Sequence, residues 1–100
     1  MPKKTDGTEG VFVEDLLAHL RATGPRTEAE ICEWAVATYE FCQHPGMKQL
    51  VPREMDEPEG PRQTALQSYV SLYLWLLSRE KRVLKVDHQR WAYQEPMYNI

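Results

Sequence analysis

Residues 64–82, TALQSYVSLYLWLLSREKR, constrain the fold most: nineteen residues without a Gly or Pro, carrying a single apolar period. Leu66, Tyr69, Val70, Tyr73, Leu74 and Leu77 recur at i, i+3, i+4, i+7, i+8 and i+11, which lines one face of an α-helix. Thr64 with Gln67 three residues on forms a capping box, in which each side chain satisfies a backbone N–H at the other position. Lys81 and Arg82 suit the negative end of the helix dipole. The pattern predicts a helix over about 64–81. The opposite side carries Ser68, Ser71 and Arg79 together with Trp75, and Leu72 lies at its edge. Two large apolar residues there have two explanations. Either a following segment covers them, or they form a contact with another molecule.

One hundred residues fit one domain, and 42% hydrophobic against 27% charged residues is ordinary globular usage. No apolar run reaches a membrane span and no signal peptide opens the chain, so a soluble cytoplasmic protein with no membrane partner is expected. Net charge is −3, but its distribution is uneven. Residues 1–60 hold 6 Lys/Arg against 12 Asp/Glu, whereas residues 61–100 hold 6 against 3. Basic charge therefore collects at the end of the long helix and just beyond it.

Residues 1–10 and 95–100 read as flexible tails, the first with Lys3 and Lys4, the second with Tyr98 as an aromatic anchor. Val13, Leu16, Leu17 and Leu20 predict a first helix over about 11–23, stopped by Gly24 and Pro25. Thr27 and Glu30 make a second capping box, and Ile31, Trp34, Ala35, Thr38, Tyr39 and Cys42 mark the inward stripe of a second helix over 28–42. Four prolines break residues 43–61, read as a long loop with acidic Glu54, Asp56, Glu57 and Glu59 and an apolar stretch over 47–51 that forms a short strand or docked turn. After the long helix, residues 82–94 predict a hairpin. Leu84 and Val86 give its first strand an apolar face, Trp91 and Tyr93 do the same for the second, and residues 87–89 make the turn. Leu16, Leu20, Ile31, Trp34, Tyr39, Leu66, Val70, Tyr73, Leu74 and Leu77 are expected to form the core.

This order of elements resembles a winged helix-turn-helix domain. The likeness lies in GPRTEAEICEWA at 24–35, similar to the turn and second helix of such domains, and in LWLLSREKRVLKVDHQRWAY at 74–93, similar to a recognition helix running into its wing. The fold expected is thus mainly α with a small β-hairpin (α+β), with a long loop inserted between helices 2 and 3. The resemblance implies DNA recognition. Arg62, Gln63, Thr64, Gln67, Ser68 and Ser71 would then face the major groove, and Arg82, Lys85, His88, Gln89 and Arg90 would approach flanking backbone from the wing. Such a protein would be a transcriptional regulator bound to double-stranded DNA, and a dimer, since one small module gives limited affinity.

The insertion supports a different reading. A helix-turn-helix usually joins its helices by three or four residues, whereas the loop here has nineteen, and its carboxylates would repel phosphate beside the recognition helix. The alternative is a winged-helix module that binds protein through the acidic 43–61 insertion and a Trp75/Leu72 surface.

Catalysis and metal binding have little support in the sequence. No nucleophile elbow, phosphate loop or metalloprotease motif occurs, and His19, His44 and His88 lie on separate elements. Cys32 and Cys42 on one continuous helix would stand about 15 Å apart, too far to share a zinc ion. No enzyme activity, cofactor or metal is expected.

Overall fold

The computed structural model describes residues 9–53, 56 and 59–95. Three helices pack with two small antiparallel sheets, an α+β arrangement. The chain runs through α1 (Glu9–Thr23), β1 (Arg26–Thr27), α2 (Glu28–Thr38), two short 3-10 turns at Phe41–Gln43 and Pro45–Lys48, and β2 (Leu50–Pro52). It continues through β3 (Arg62–Thr64), α3 (Ala65–Arg79), β4 (Val83–Lys85) and β5 (Arg90–Tyr93). One sheet has the order β1-β5-β4, so the strand between α1 and α2 closes onto the far hairpin through Arg26 opposite Trp91 and Thr27 opposite Arg90. The other pairs β2 with β3.

Local chemistry fixes the helix ends. Gly24, at φ +85, terminates α1 in a left-handed conformation, with its N–H still donating to the Leu20 carbonyl. Both anticipated capping boxes form, Thr27 with Glu30 on α2 and Thr64 with Gln67 on α3. At the other end of α3, the Arg82 N–H donates to the Leu77 carbonyl and the Lys81 N–H to that of Ser78. This is a Schellman closure, with Lys81 at φ 60 in the position that glycine usually takes. Lys81→Gly therefore relieves a left-handed side chain, and we expect it to raise stability by about 0.5–1 kcal/mol, read as a shift in the urea midpoint.

The core is one cluster built from α1, α2, the first 3-10 turn, α3 and β4. Its centre is Phe12, fully buried, whose ring lies 5.7 Å from Tyr39, 5.1 Å from Tyr69 and 5.5 Å from Tyr73. The Tyr39 hydroxyl donates to the Asp15 carboxylate on α1. Burial and that neighbouring carboxylate both push the Tyr39 phenol upward from its ordinary range. Asp15→Ala leaves this buried hydroxyl without its acceptor and is expected to cost about 1–3 kcal/mol. Tyr39→Phe, which leaves no unpaired hydroxyl behind, should cost less in the same denaturation series.

Several expectations need correction. Helix α2 stops at Thr38 rather than running to residue 42. Tyr39 turns to extended backbone (φ −119, ψ 133), which carries its ring into the aromatic cluster, and the chain then re-enters the core at Cys42 through a 3-10 turn. Helix α1 begins at Glu9 and α3 ends at Arg79. Trp34 is only partly buried, stacked on His19 at 4.6 Å. Residues 62–64 form strand β3, so Arg62 and Gln63 lie on a strand rather than on the N-terminal face of the long helix, while Thr64 caps that helix as anticipated. The first strand of the far hairpin has the opposite phase to that expected. Val83 is buried on α3, and Leu84 (52% exposed) and Val86 (44%) face outward. The strand starts at Val83 directly after the Schellman closure, and a shift of one residue reverses every side chain.

The tails over 1–8 and 96–100, with Lys3, Lys4 and Tyr98, and the loop carboxylates Glu54 and Glu57 lie outside the described residues. Asp56 and Glu59 are exposed. No helix among the described residues is long and apolar enough to cross a membrane.

Candidate interaction surface

Helix α3 has two faces of different use. Leu66, Val70, Tyr73, Leu74 and Leu77 are buried against the other helices. On the opposite side Leu72 (51% exposed), Trp75 (53%) and Leu76 stand in solvent, one helical turn apart from one another or less. The Arg79 guanidinium lies 4.9 Å from the centre of the Trp75 ring, an arrangement that holds cation and indole together. Among the described residues, no segment after α3 covers Leu72 and Trp75. Leu76 extends the stripe and was not anticipated. Its only sequence signal is that apolar residues occupy more of the helix circumference than one buried face needs.

The polar residues expected to read DNA are divided among different tasks. The Gln67 Oε1 accepts from the Thr64 N–H at 2.8 Å, and the Thr64 Oγ1 accepts from the Gln67 N–H at 3.1 Å, so both side chains serve the cap. Arg62 is exposed on β3; Ser68 and Ser71 are half-buried on α3. In the hairpin, Arg90 pairs with Asp87 at 2.7 Å, the Lys85 ammonium lies 5.4 Å from the centre of the Trp91 ring, and Arg82 reaches Glu14 on α1 at 3.5 Å. The Asp87 carboxylate also accepts from the Gln89 and Arg90 N–H groups, and these bonds, Gln89 first, hold its pKa below the ordinary range. His88 and Gln89 are exposed at the hairpin turn. The three basic side chains of the hairpin thus have partners within the chain, and a phosphate would compete with them.

The histidines have local roles in the fold. His19 stacks on Trp34, and burial, followed by the charge of Arg26, lowers its pKa. The His44 Nδ1 accepts from the Gly46 N–H, capping the second 3-10 turn. His88 sits in the hairpin turn, so the three share no site.

Because α2 ends early, the expected separation of Cys32 and Cys42 along one helix does not apply. Cys42 lines a hollow of about 480 Å³ with Met47 and Leu66, and Cys32 lines an adjoining one that shares Leu66. No group of three or more His, Cys, Asp or Glu side chains comes together among the described residues.

Burial pushes both thiols up from 9.0 to about 11, aided by Glu28 at Cys32 and by Cys32 at Cys42. Both should therefore react slowly with iodoacetamide near neutral pH and rapidly once the chain is unfolded. The linkage has a definite sign. In the unfolded chain these thiols ionise near 9.0, whereas in the fold they hold their protons to about 11. Their stabilising contribution is full below the lower value and falls as pH rises from it to the higher one. The Tyr39 phenol adds a loss of the same sign at higher pH. Urea midpoints should fall steadily above about pH 9, and a flat profile there would overturn this account.

Compared with known proteins, the chain matches no protein family, no curated protein and no solved structure.

Proposed function

We propose that this chain is a winged helix-turn-helix module that binds another protein through the outer face of α3. The winged-helix reading draws on the element order, with β1 between the first two helices pairing to the hairpin that follows the third. The observation that carries the protein-binding reading is the exposed stripe of Leu72, Trp75 and Leu76, on the helix that a DNA-binding relative of this architecture would lay into the major groove. Groove edges are read mainly by hydrogen bonds, and this stripe has few groups to offer them. A solvent-facing tryptophan flanked by leucines has the character of an interface anchor, where aromatic residues supply most of the binding energy.

Double-stranded DNA is the second reading, favoured by Arg62 on the strand that leads into α3, by Ser68 and Ser71 on the helix, and by Lys85, His88, Gln89 and Arg90 in the hairpin. One experiment separates the two. A photo-crosslinking amino acid in place of Leu72, in the cells that make the protein, should give a discrete adduct with protein. An adduct with nucleic acid alone would overturn the first reading. Fluorescence anisotropy with a random-sequence duplex completes the comparison. Binding that weakens log-linearly with salt, and falls in Lys85→Ala and Arg90→Ala, would favour DNA.

A further inference from the structure

We propose that the hollow beside Cys42 is a binding site for an aliphatic carboxylic acid of medium chain length. It shares no lining residue with the outer face of α3, so it holds whichever partner that face meets.

The hollow follows from the way α2 ends. The helix stops at Thr38, and the 3-10 turns after it bring Cys42 and Met47 back beside Val36 and Leu66 without filling the space between them. About 480 Å³ stays open there, and about 390 Å³ more opens next to it. Val36, Gln43 and Leu66 line both spaces, so the two form one trench. Its walls are tied in place. The Gln43 Nε2 donates to the Val36 carbonyl at 2.8 Å, and the Ala65 N–H donates to the Gln49 carbonyl at 2.9 Å. Small-molecule sites are usually of this size, largely apolar and formed before the ligand arrives.

The lining selects the body of the ligand. Val36, Ala37, Cys42, Met47 and Leu66 make the trench apolar, and among the described residues no aromatic ring lines it. An elongated apolar trench without a stacking partner suits a flexible hydrocarbon chain, to which the unbranched Met47 side chain can adapt.

Charge selects the head and its direction. Lys48 and Thr64 line one end of the trench, and Glu33 lines the other. Among the described residues Lys48 has no ion-pair partner. The Thr64 Oγ1 accepts from the Gln67 N–H, which leaves its hydroxyl proton to donate. An ammonium and a hydroxyl donor at one end match a carboxylate, through charge-assisted hydrogen bonds. The Glu33 carboxylate repels the same head at the other end. The acid therefore lies with its head at Lys48 and its chain running past Leu66 toward Cys32.

Titration of the ¹⁵N-labelled full chain with hexanoate, octanoate and decanoate, followed by amide chemical shifts, tests this. Shifts should move at Val36, Gln43 and Leu66, with a dissociation constant of about 100 µM for octanoate. Each added methylene should tighten binding about two- to fourfold. Lys48→Gln should weaken octanoate about tenfold and leave the neutral octanol unchanged. Val36→Trp, at a position 37% exposed, should fill the trench and abolish binding of both. Lys48 is itself exposed, so its substitution reads the site even where the Val36→Trp chain is unstable. Trp75→Glu should leave the titration as it is, which separates the trench from the outer face of α3. No shift at about 1 mM octanoate, affinity indifferent to chain length, undiminished binding in Lys48→Gln or in a folded Val36→Trp chain, or binding lost in Trp75→Glu would each overturn the proposal.

Discussion

Phe12→Ala should remove about 3–5 kcal/mol of stability, the largest single loss expected in this chain. The ring is fully buried and meets Trp34, Tyr39, Tyr69 and Tyr73 at centroid distances of 5.1–6.1 Å, joining α1 to α2, to its end and to α3 at once. Truncation forfeits the transfer energy of a large side chain and leaves a void. The surrounding rings are themselves held by other contacts, Tyr39 by Asp15 and Trp34 by His19, so they have little freedom to collapse into it. A domain of this size has only about 5–15 kcal/mol in total. The variant should therefore melt at least about 15 °C lower or fail to fold. Phe12→Leu, which keeps most of the volume, should cost about 1–2 kcal/mol. A loss below about 1 kcal/mol in Phe12→Ala would mean that the aromatic cluster is not the organising core.

Trp75→Glu should do the reverse, leaving the fold intact and removing the proposed interaction. Its indole is 53% exposed and its one described ring partner is Arg79 on the same helix. Substitution at such a position usually changes stability by no more than about 0.5 kcal/mol. At a protein interface the same change deletes an aromatic anchor and inserts a charge that must be desolvated, a loss of about 2 kcal/mol or more, or about thirtyfold in affinity. The measurement is the yield of the Leu72 photo-adduct in Trp75→Glu against the native residue, with thermal melting of both. Expected are equal melting temperatures and an adduct reduced at least about tenfold. An unchanged adduct would remove the outer face of α3 from the interface.

The buried face of α3 and both capping boxes could be read directly, because period and cap chemistry are local and the tertiary structure agrees with them. Phe12 could not. Along α1 the stripe of Val13, Leu16, Leu17 and Leu20 and the stripe of Phe12, Leu16 and Leu20 differ by a small rotation. The choice between them depends on where Tyr39, Tyr69 and Tyr73 arrive from elsewhere in the chain. The end of α2 was hidden for a similar reason. Residues 39–42 carry neither Gly nor Pro, and only the acceptor for the Tyr39 hydroxyl and the place of its ring favour extended backbone there. The phase of β4 was lost by one residue because nothing local decides whether Val83 or Leu84 faces the helix. In the candidate surface, Leu72 and Trp75 were recognisable from helix geometry. Their exposure was not, since a covering segment would have left the same residues in the sequence.

The strands that bracket the insertion carry a consequence for how the protein can vary. Leu50 opposes Thr64, Val51 opposes Gln63, Pro52 opposes Arg62, and the Arg53 N–H donates to the Pro61 carbonyl at 2.8 Å. A hydrogen-bonded neck thus closes where the loop departs, and a further bond from the Ala65 N–H to the Gln49 carbonyl fastens it to the first residue of α3. Whatever is threaded between the two sides of the neck, the start of α3 is held by the neck itself. Lengthening a loop closed in this way has only a slowly growing entropic cost, about 0.6 kcal/mol for each doubling. The stretch between residues 53 and 61 is therefore a port, where a lineage or a protein engineer can splice in a new binding element without moving the helix that carries the proposed interaction surface.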